Sequence, residues 1–301
     1  MKVLVTGGAG FIGSHIVDNL VNEGIETVVV DNLSSGHRSF IPEDVSFYQA
    51  DLNDDSLEDI FKKERPNYVI HQAAQVDVAT SMEDPTGDAR TNILGTIRLL
   101  QLCRDYGIKK IVYASSCAVY GDAGDCSIKE GFSINPLSYY GMSKYTPEVY
   151  IRLFHNQCGL PFTILRYANV YGPRQTPKGE GGVISIFLEK MRNDEPVTIY
   201  GDGRQTRDFV YVKDVANANV MALQKANNEI LNIGNDTKTS INELFHHLQT
   251  LHGSTHSPQY KPSRAGDIMY SRLDSTKALN RLGWTPTHTL EEGLIETINT
   301  H

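Results

Sequence analysis

The sequence predicts an α/β protein in which a doubly wound parallel sheet is followed by a smaller mixed α/β lobe. Short apolar, β-branched runs alternate with helical patterns over the first 170 residues. From Tyr171 onward the segments become shorter and richer in Gly and Pro. Regular alternation of this kind is typical of parallel strands joined by crossover helices. A chain of 301 residues is long enough to bury the cores of two lobes.

Each element of the first lobe follows from its local pattern. β-branched runs predict strands over 2–6, 27–31, 45–50, 68–71, 110–114 and 162–167. Apolar residues at helical spacing predict helices over 11–21, 56–64, 84–106 and 138–158. We expect residues 1–170 to form this lobe, with the chain returning to it around 208–235.

The second lobe is predicted to be mainly residues 171–301. Strand-like runs at 197–200 and 208–212 flank the turn Gly201-Asp202-Gly203. Helices are predicted near 183–192, 214–225, 241–251, 275–282 and 290–298. In open parallel sheets ligands bind at the carboxyl ends of the strands, so we expect the site to lie between the lobes.

Three glycines join the first predicted strand to the first helix. Gly7 permits a tight turn, Gly10 lets the backbone approach a pyrophosphate, and Gly13 lets the helix pack against the strands. The helix N-terminus then directs unpaired N–H groups and a positive dipole end toward phosphate. This strand, glycine trio and helix predict a dinucleotide-binding Rossmann domain.

Asp31 ends the second predicted strand, where a carboxylate can accept hydrogen bonds from both ribose hydroxyls of an adenosine. A 2′-phosphate would be repelled there, and Asn32 and Leu33 follow instead of a basic residue. The sequence therefore predicts NAD rather than NADP.

Composition narrows the class of partner. A formal charge of −8 without a basic patch argues against nucleic acid. Four cysteines without CxxC pairing favour a reducing compartment. The N-terminus has no signal-peptide pattern, and no apolar run is long enough for a membrane span, so we expect a cytoplasmic protein without a membrane partner.

Tyr140 and Lys144 are placed one turn apart on one face of a predicted helix. A lysine ammonium and a cationic nicotinamide would favour the phenolate and lower the tyrosine pKa from its usual value near 10. Ser116, at the end of the preceding strand, could donate a hydrogen bond to a substrate oxygen. Together the three residues predict acid–base chemistry beside the dinucleotide.

These motifs resemble the extended short-chain dehydrogenase/reductase superfamily, and within it the NAD-dependent nucleotide-sugar epimerases, above all the UDP-galactose (UDP-glucose) 4-epimerases. The resemblance covers essentially the whole chain. Its motifs are Thr6–Gly13, Asp31–Gly36, Ser115–Gly121, Arg166–Gln175, Gly201–Phe209 and Arg264–Asp267.

The resemblance implies a set of ligand contacts. The catalytic residues would be Ser116, Tyr140 and Lys144. The NAD contacts would be Gly7, Gly10, Phe11, Ile12, Gly13, Asp31, Asn32, Ser35, Gly36, Asp51, Leu52, Ala73, Ala74, Asn92, Tyr140 and Lys144. The UDP-sugar contacts would be Ser116, Asn169, Val183, Tyr200, Arg207, Arg264 and Asp267. No metal and a homodimer, formed through helices near 95–106 and 145–158, are also implied.

The implied reaction is inversion at C4 of UDP-glucose or UDP-galactose. C4 gives a hydride to NAD, the 4-keto sugar rotates, and the hydride returns to the other face. Cys117-Ala118 replaces the acidic pair of the related dehydratases, and Ala118 also differs from the glutamate of the decarboxylases. Thr176 stands where glucuronate 4-epimerases tend to carry an arginine.

Several alternatives remain open at this point. Ser271 would leave room for an N-acetyl group, so UDP-GlcNAc/UDP-GalNAc is an alternative substrate, as is UDP-glucuronate. A net NAD-dependent dehydrogenase is a further alternative, and a non-catalytic relative is disfavoured by the intact catalytic trio. His71 is predicted to be a satisfied core histidine, Cys117 a packing residue and His246-His247 a solvated pair.

Overall fold

Parallel strands form the central layer of the molecule, which we describe from a computed structural model. The structure describes residues 1–177, 182–263 and 268–300. The strands are β1 (Lys2–Thr6), β2 (Glu26–Asp31), β3 (Ser46–Gln49), β4 (Tyr68–His71), β5 (Lys110–Ser116), β6 (Phe162–Tyr167), β7 (Asn169–Tyr171), β8 (Thr198–Tyr200), β9 (Thr206–Arg207), β10 (Phe209–Tyr211), β11 (Glu229–Ile233), β12 (Thr239–Ser240) and β13 (Gln259–Lys261).

Seven of these strands pair in the order β11-β6-β5-β4-β1-β2-β3, and each pairing is parallel. The order reverses direction between β1 and β4. A crevice opens at such a switch point, outside the carboxyl ends of the strands. The glycine-rich turn that follows β1 therefore lies at the expected ligand site. The predicted doubly wound parallel α/β fold is confirmed.

Helices on both faces cover this sheet, and further helices belong to the part of the chain after residue 171. The helices are α1 (Phe11–Asn22), α2 (Ser56–Glu64), α3 (Val78–Glu83), α4 (Pro85–Ala89), α5 (Gly95–Asp105), α6 (Tyr139–Cys158), α7 (Val183–Arg192), α8 (Val212–Ala222), α9 (Ile241–His252), α10 (Thr276–Leu282) and α11 (Leu290–Thr300). No helix within the described ranges is long and apolar enough to cross a membrane.

Alternation along β1 divides the core in two. Val3 and Val5 pack against α1 and α8 on one face, whereas Leu4 faces α2, α5 and α6 on the other. All three side chains are fully buried. The strand is therefore apolar on both faces, as its sequence predicted.

The single helix predicted over 84–106 is wrong in detail. Pro85 starts the short α4, with Asp84 as its cap, and a π-helical segment, Arg90–Leu94, separates α4 from α5. The widened π turn holds Asn92, which is buried. Such turns are often found at functional sites. Helix α3 was not predicted, because its six residues lack a helical apolar stripe.

The segment after residue 171 contributes to both parts of the molecule. Strand β11 joins the large sheet beside β6, and α8 packs on α1. Two-stranded pairings β7–β10, β8–β13 and β9–β12 lie outside the large sheet. Helices α7, α9 and α11 enclose a third apolar core around Tyr171, Phe209 and Tyr211.

Candidate active site

The glycine-rich turn is shaped by two backbone contacts that exclude side chains. Gly7 has φ +66°, and a Cβ there would lie 2.5 Å from the backbone nitrogen of Ala73. A Cβ on Gly13 would lie 2.0 Å from the carbonyl oxygen of Gly7. Both positions therefore require glycine. The turn brings β1, α1 and the segment after β4 close enough to form one continuous surface.

Helix α1 presents an uncapped N-terminus to this surface. Gly10 is the N-cap residue and provides no side-chain cap, and the first turn contains no acidic residue. The backbone N–H groups of Phe11, Ile12 and Gly13 lie in this first turn, where an α-helix offers no internal acceptor. The arrangement fits a pyrophosphate.

Asp31 lies beside the glycine-rich turn and lines the same groove. Its side chain is 7 % exposed, and its carboxylate accepts hydrogen bonds from the backbone N–H groups of Ala9 (2.9 Å) and Leu33 (2.8 Å). Burial raises the pKa of Asp31, and these two hydrogen bonds oppose that change. A ribose diol that donates to this carboxylate would replace part of the lost hydration.

The adenosine end of the groove is a cleft of about 530 Å³, lined by Gly7, Asp31, Asn32, Ser35, Asp51 and Leu52 among others. Ala73 and Ala74 form its other side. Partial burial raises the pKa of Asp51, but hydrogen bonds from Asn53 and from the Asn32 amide (2.8 Å) outweigh burial, so the net shift is downward. Gly36 lies against this region, because a Cβ there would come within 2.9 Å of the Ala9 carbonyl.

Ser116, Tyr140 and Lys144 meet in a second cleft of about 780 Å³. Ser116 is the last residue of β5, and Tyr140 and Lys144 lie on the first turns of α6. This cleft shares Gly7 and Gly10 with the adenosine cleft, so the two form one groove. Ile12 and Phe11 line the same cleft. The structure thus brings together the catalytic trio and the cofactor residues that the sequence predicted separately.

Lys144 is held in an apolar setting. It is 4 % exposed, and its Nζ lies 5.0 Å from the centre of the Tyr113 ring. Burial lowers the pKa of Lys144 to about 8, while the charges of Asp88 and Glu148 act in the opposite direction. Cation–π contact with Tyr113 also favours the charged form.

A buried ion pair fixes α6 to the sheet one turn beyond Lys144. Glu148 is 0 % exposed and Arg166 is 3 % exposed. The guanidinium and the carboxylate form a bidentate contact with N···O distances of 2.9 and 2.6 Å. Ser115 Oγ donates to the same carboxylate at 2.5 Å. Because Ser115 precedes Ser116, this network sets the position of β5 relative to the helix that carries Tyr140 and Lys144.

Asn92, a predicted NAD contact, lies in the π-helical turn and is bonded within the protein. Its amide nitrogen donates to Ser143 Oγ (2.8 Å) and to the carbonyl of Gln75 (2.9 Å), and its oxygen accepts from the Gln75 N–H (2.8 Å). The side chain is 2 % exposed and engaged within the protein. Asn92 therefore joins the π-helical turn to α6, and its contact with the nicotinamide half of NAD stays a prediction.

Most of the predicted UDP-sugar residues lie within the described parts of the chain. Arg207 Nη1 donates to the carbonyls of Thr206 (2.9 Å) and Ile268 (2.7 Å), and the Asn169 amide donates to the carbonyl of Asp208 (3.3 Å). Tyr200 ends β8 and Val183 starts α7. Arg264 and Asp267 lie outside the described residues.

His71 and Cys117 are packing residues in the structure. His71 is 1 % exposed and hydrogen-bonds Thr6 (2.7 Å) and Thr96 (2.9 Å), so it is a satisfied core histidine, as predicted. Burial raises the pKa of Cys117, which contacts the Ser271 hydroxyl. This thiol is not activated. In the described parts of the chain, no cluster of three or more His, Cys, Asp or Glu could hold a metal.

Two glutamines that line the catalytic cleft are not among the predicted cofactor or substrate contacts. Gln72 follows β4 directly, and its amide donates to Tyr167 Oη (3.1 Å) and Asn219 Oδ1 (3.0 Å). Its place at the carboxyl end of a strand could have indicated it. Gln175 also lines the catalytic cleft. Gln175 ends the motif Arg166–Gln175, but no spacing pattern indicates a contact for its side chain, because the chain reaches the cleft through a loop.

Known proteins with similar sequences also bind NAD, as the geometry of this groove indicates. Residues 3–234 match the model of the NAD dependent epimerase/dehydratase family. The chain belongs to this family. It is therefore an enzyme with NAD as cofactor, which confirms the fold and cofactor expected from the sequence. The uncapped α1 N-terminus, the Gly13 contact and Asp31 are the features of this structure that fit NAD.

Individual relatives are similar over their whole lengths. The UDP-glucose 4-epimerase of Mycolicibacterium smegmatis is 39 % identical over 305 residues, covering 99 % of this chain and 97 % of the relative. The UDP-glucose 4-epimerase of Thermotoga maritima, solved with UDP-glucose, has a TM-score of 0.97 at 47 % identity, covering 100 % and 98 % of the two chains. That of Thermus thermophilus, solved with NAD, has a TM-score of 0.95 at 41 % identity, with the same coverage.

Proposed function

We propose that this enzyme is a UDP-glucose/UDP-galactose 4-epimerase. The observation that carries the proposal is the single groove in which Ser116, Tyr140 and Lys144 adjoin the glycine-rich turn. Relatives named UDP-glucose 4-epimerase at 39 % and 47 % identity support the choice of substrate. NAD, when bound in this groove, would supply a reversible hydride acceptor.

Tyr140 is the proposed acid–base residue. Its phenolate would accept the proton of the sugar 4-hydroxyl, and the phenol would return a proton to the C4 oxygen of the opposite configuration. Lys144 would lower the pKa of Tyr140 and hold the nicotinamide ribose. Ser116 would donate a hydrogen bond to the same sugar oxygen. Its Oγ already accepts the N–H of Ala118 (3.2 Å), which fixes its orientation.

The second lobe would anchor UDP and leave the hexose free to turn. Arg207 suits a diphosphate because a guanidinium donates two parallel hydrogen bonds. Asn169 would contact the diphosphate and Tyr200 the uracil. Arg264 and Asp267 would contact the diphosphate and the uridine ribose, and Val183 would line the UDP-sugar site. We propose that residues 1–170 mainly bind NAD and that residues 171–301 mainly bind the UDP-sugar. Strand β11 is an exception, because it pairs with β6 in the large sheet.

A second sugar substrate is favoured by one observation. Ser271 is 8 % exposed and contacts Cys117, the neighbour of Ser116. A small side chain beside the catalytic serine would leave space for a C2 N-acetyl group. UDP-GlcNAc is therefore our alternative substrate.

The deciding experiment incubates purified protein separately with UDP-glucose, UDP-GlcNAc and UDP-glucuronate, without added cofactor, and resolves the products by chromatography. We expect conversion of UDP-glucose to UDP-galactose. If UDP-GlcNAc is converted faster than UDP-glucose, UDP-GlcNAc is the preferred substrate. A lack of any 4-epimer, with NADH produced only after NAD is added, would identify a net dehydrogenase and refute the proposal.

Alkaline pH is expected to lower activity through Lys144. The pKa of Lys144 is lowered to about 8, so the charge that Tyr140 requires is lost as pH rises through that value. Asp88 raises this pKa, and Asp88→Asn should therefore move the alkaline limb of kcat/KM to lower pH. The matched variant Asp105→Asn, on an exposed carboxylate, should leave the limb in place. An unmoved limb in Asp88→Asn would contradict this electrostatic role.

A homodimer is proposed from an apolar stripe on α6. Met142, Val149 and Leu153 are spaced on one face of the helix and are 48 %, 42 % and 46 % exposed. Exposed apolar stripes of this kind commonly mark protein interfaces. We expect a dimer in sedimentation equilibrium and a monomer after Leu153→Glu. A monomeric wild-type protein would refute the assignment.

A further inference from the structure

Gln175 is a buried amide at the wall of the catalytic cleft. It is 4 % exposed and lines the same cleft as Tyr140 and Lys144. Its backbone N–H donates to the Gly172 carbonyl at 3.4 Å. Its amide lies against Gly182, where a Cβ would come within 2.7 Å of Nε2. Packing therefore leaves this side chain little freedom.

The orientation of the Gln175 amide follows from its hydrogen bond to Val170. Nε2 donates to the carbonyl oxygen of Val170 at 3.2 Å. A carbonyl can only accept, so nitrogen must face Val170 and Oε1 must face away from it. Oε1 is buried and has no hydrogen-bond partner among the described residues. A buried amide oxygen without a donor is costly, and a ligand N–H would remove that cost.

The surroundings indicate which donor fits. The cleft around Gln175 is lined by Phe11, Ile12 and Val170, which suit a flat, largely apolar ring. The carboxamide of nicotinamide brings an NH₂ group that needs a buried acceptor. Ser116, Tyr140 and Lys144 are hydroxyl and ammonium groups already assigned to the sugar oxygen and the ribose.

We propose that Gln175 Oε1 accepts a hydrogen bond from the carboxamide NH₂ of NAD. Gln175 would thereby fix the rotation of the nicotinamide ring about its glycosidic bond. This role depends on the cofactor of the family and not on the identity of the sugar. It makes Gln175 a cofactor-binding residue that joins the loop after β7 to the nicotinamide.

The test combines a variant with an altered cofactor. Binding of NAD⁺, of its 3-acetylpyridine analogue and of ADP-ribose is measured by competition against labelled NAD⁺ on wild type and Gln175→Leu. The acetyl analogue retains the carbonyl but lacks the NH₂, and ADP-ribose lacks the ring. We expect Gln175→Leu to weaken NAD⁺ about tenfold, as for one unsatisfied buried donor. Binding of the acetyl analogue and of ADP-ribose should not change.

Each other result overturns the proposal. Equal loss for all three ligands would indicate a structural role only. Unchanged NAD⁺ binding in Gln175→Leu would exclude the contact with the carboxamide. Gln224→Leu, on an exposed glutamine remote from the cleft, is the matched control and should bind all three ligands as wild type does. If Gln175→Leu does not fold, equal wild-type affinities for NAD⁺ and the acetyl analogue would still refute the contact.

Discussion

Replacing Tyr140 by Phe is expected to lower kcat by about 10²–10⁴-fold, the range for loss of a positioned acid–base group. The change removes one hydroxyl and retains the ring that lines the catalytic cleft. The glycine-rich turn and Asp31 are untouched, so NAD should remain bound. Steady-state rates with UDP-glucose and the cofactor content of the purified protein provide the two measurements.

Tyr139 offers a matched control for this substitution. It is adjacent on α6 but 50 % exposed, so Tyr139→Phe should retain wild-type turnover. Full activity in Tyr140→Phe would refute the proposed acid–base role. Loss of both activity and NAD would instead show that the tyrosine acts mainly through the cofactor.

Arg166→Met is expected to cause the largest loss of stability. Glu148 would become an unpaired carboxylate with no exposed surface, and breaking a buried pair in this way costs about 3–5 kcal/mol. Burial by itself would lower the pKa of Arg166. The hydrogen bonds and the charge of Glu148 outweigh burial, so the pKa of the guanidinium is raised. Urea unfolding should show a lower midpoint with an unchanged slope.

A double variant distinguishes the broken pair from lost packing. Glu148→Gln combined with Arg166→Met removes both charges, and it should recover part of the stability lost in the single variant. Arg104→Met breaks an exposed contact with Asp105 and should leave the unfolding midpoint unchanged. If Arg166→Met unfolds at the wild-type midpoint, the network does not stabilise the junction between β5 and α6.

Local patterns were sufficient to predict most of the large sheet and its helices. The bounds of α2, β4, β6 and α7 agree with the predicted ranges because each combines a strong apolar pattern with a clear stop signal. The predicted helix at 84–106 failed where tertiary contacts override the pattern. Asn92 bonds to Gln75 and Ser143 there, and these partners are distant in sequence.

The sequence by itself determined the dinucleotide turn, the acidic end of β2 and the Tyr140/Lys144 pair, because each depends on residues close together in the chain. Only the tertiary structure decided what surrounds them. The Glu148–Arg166 pair and the cleft-facing Gln175 depend on elements that meet through the strand order and a loop. Burial then lowers the pKa of Lys144, and burial is a property of the folded chain that no local spacing encodes.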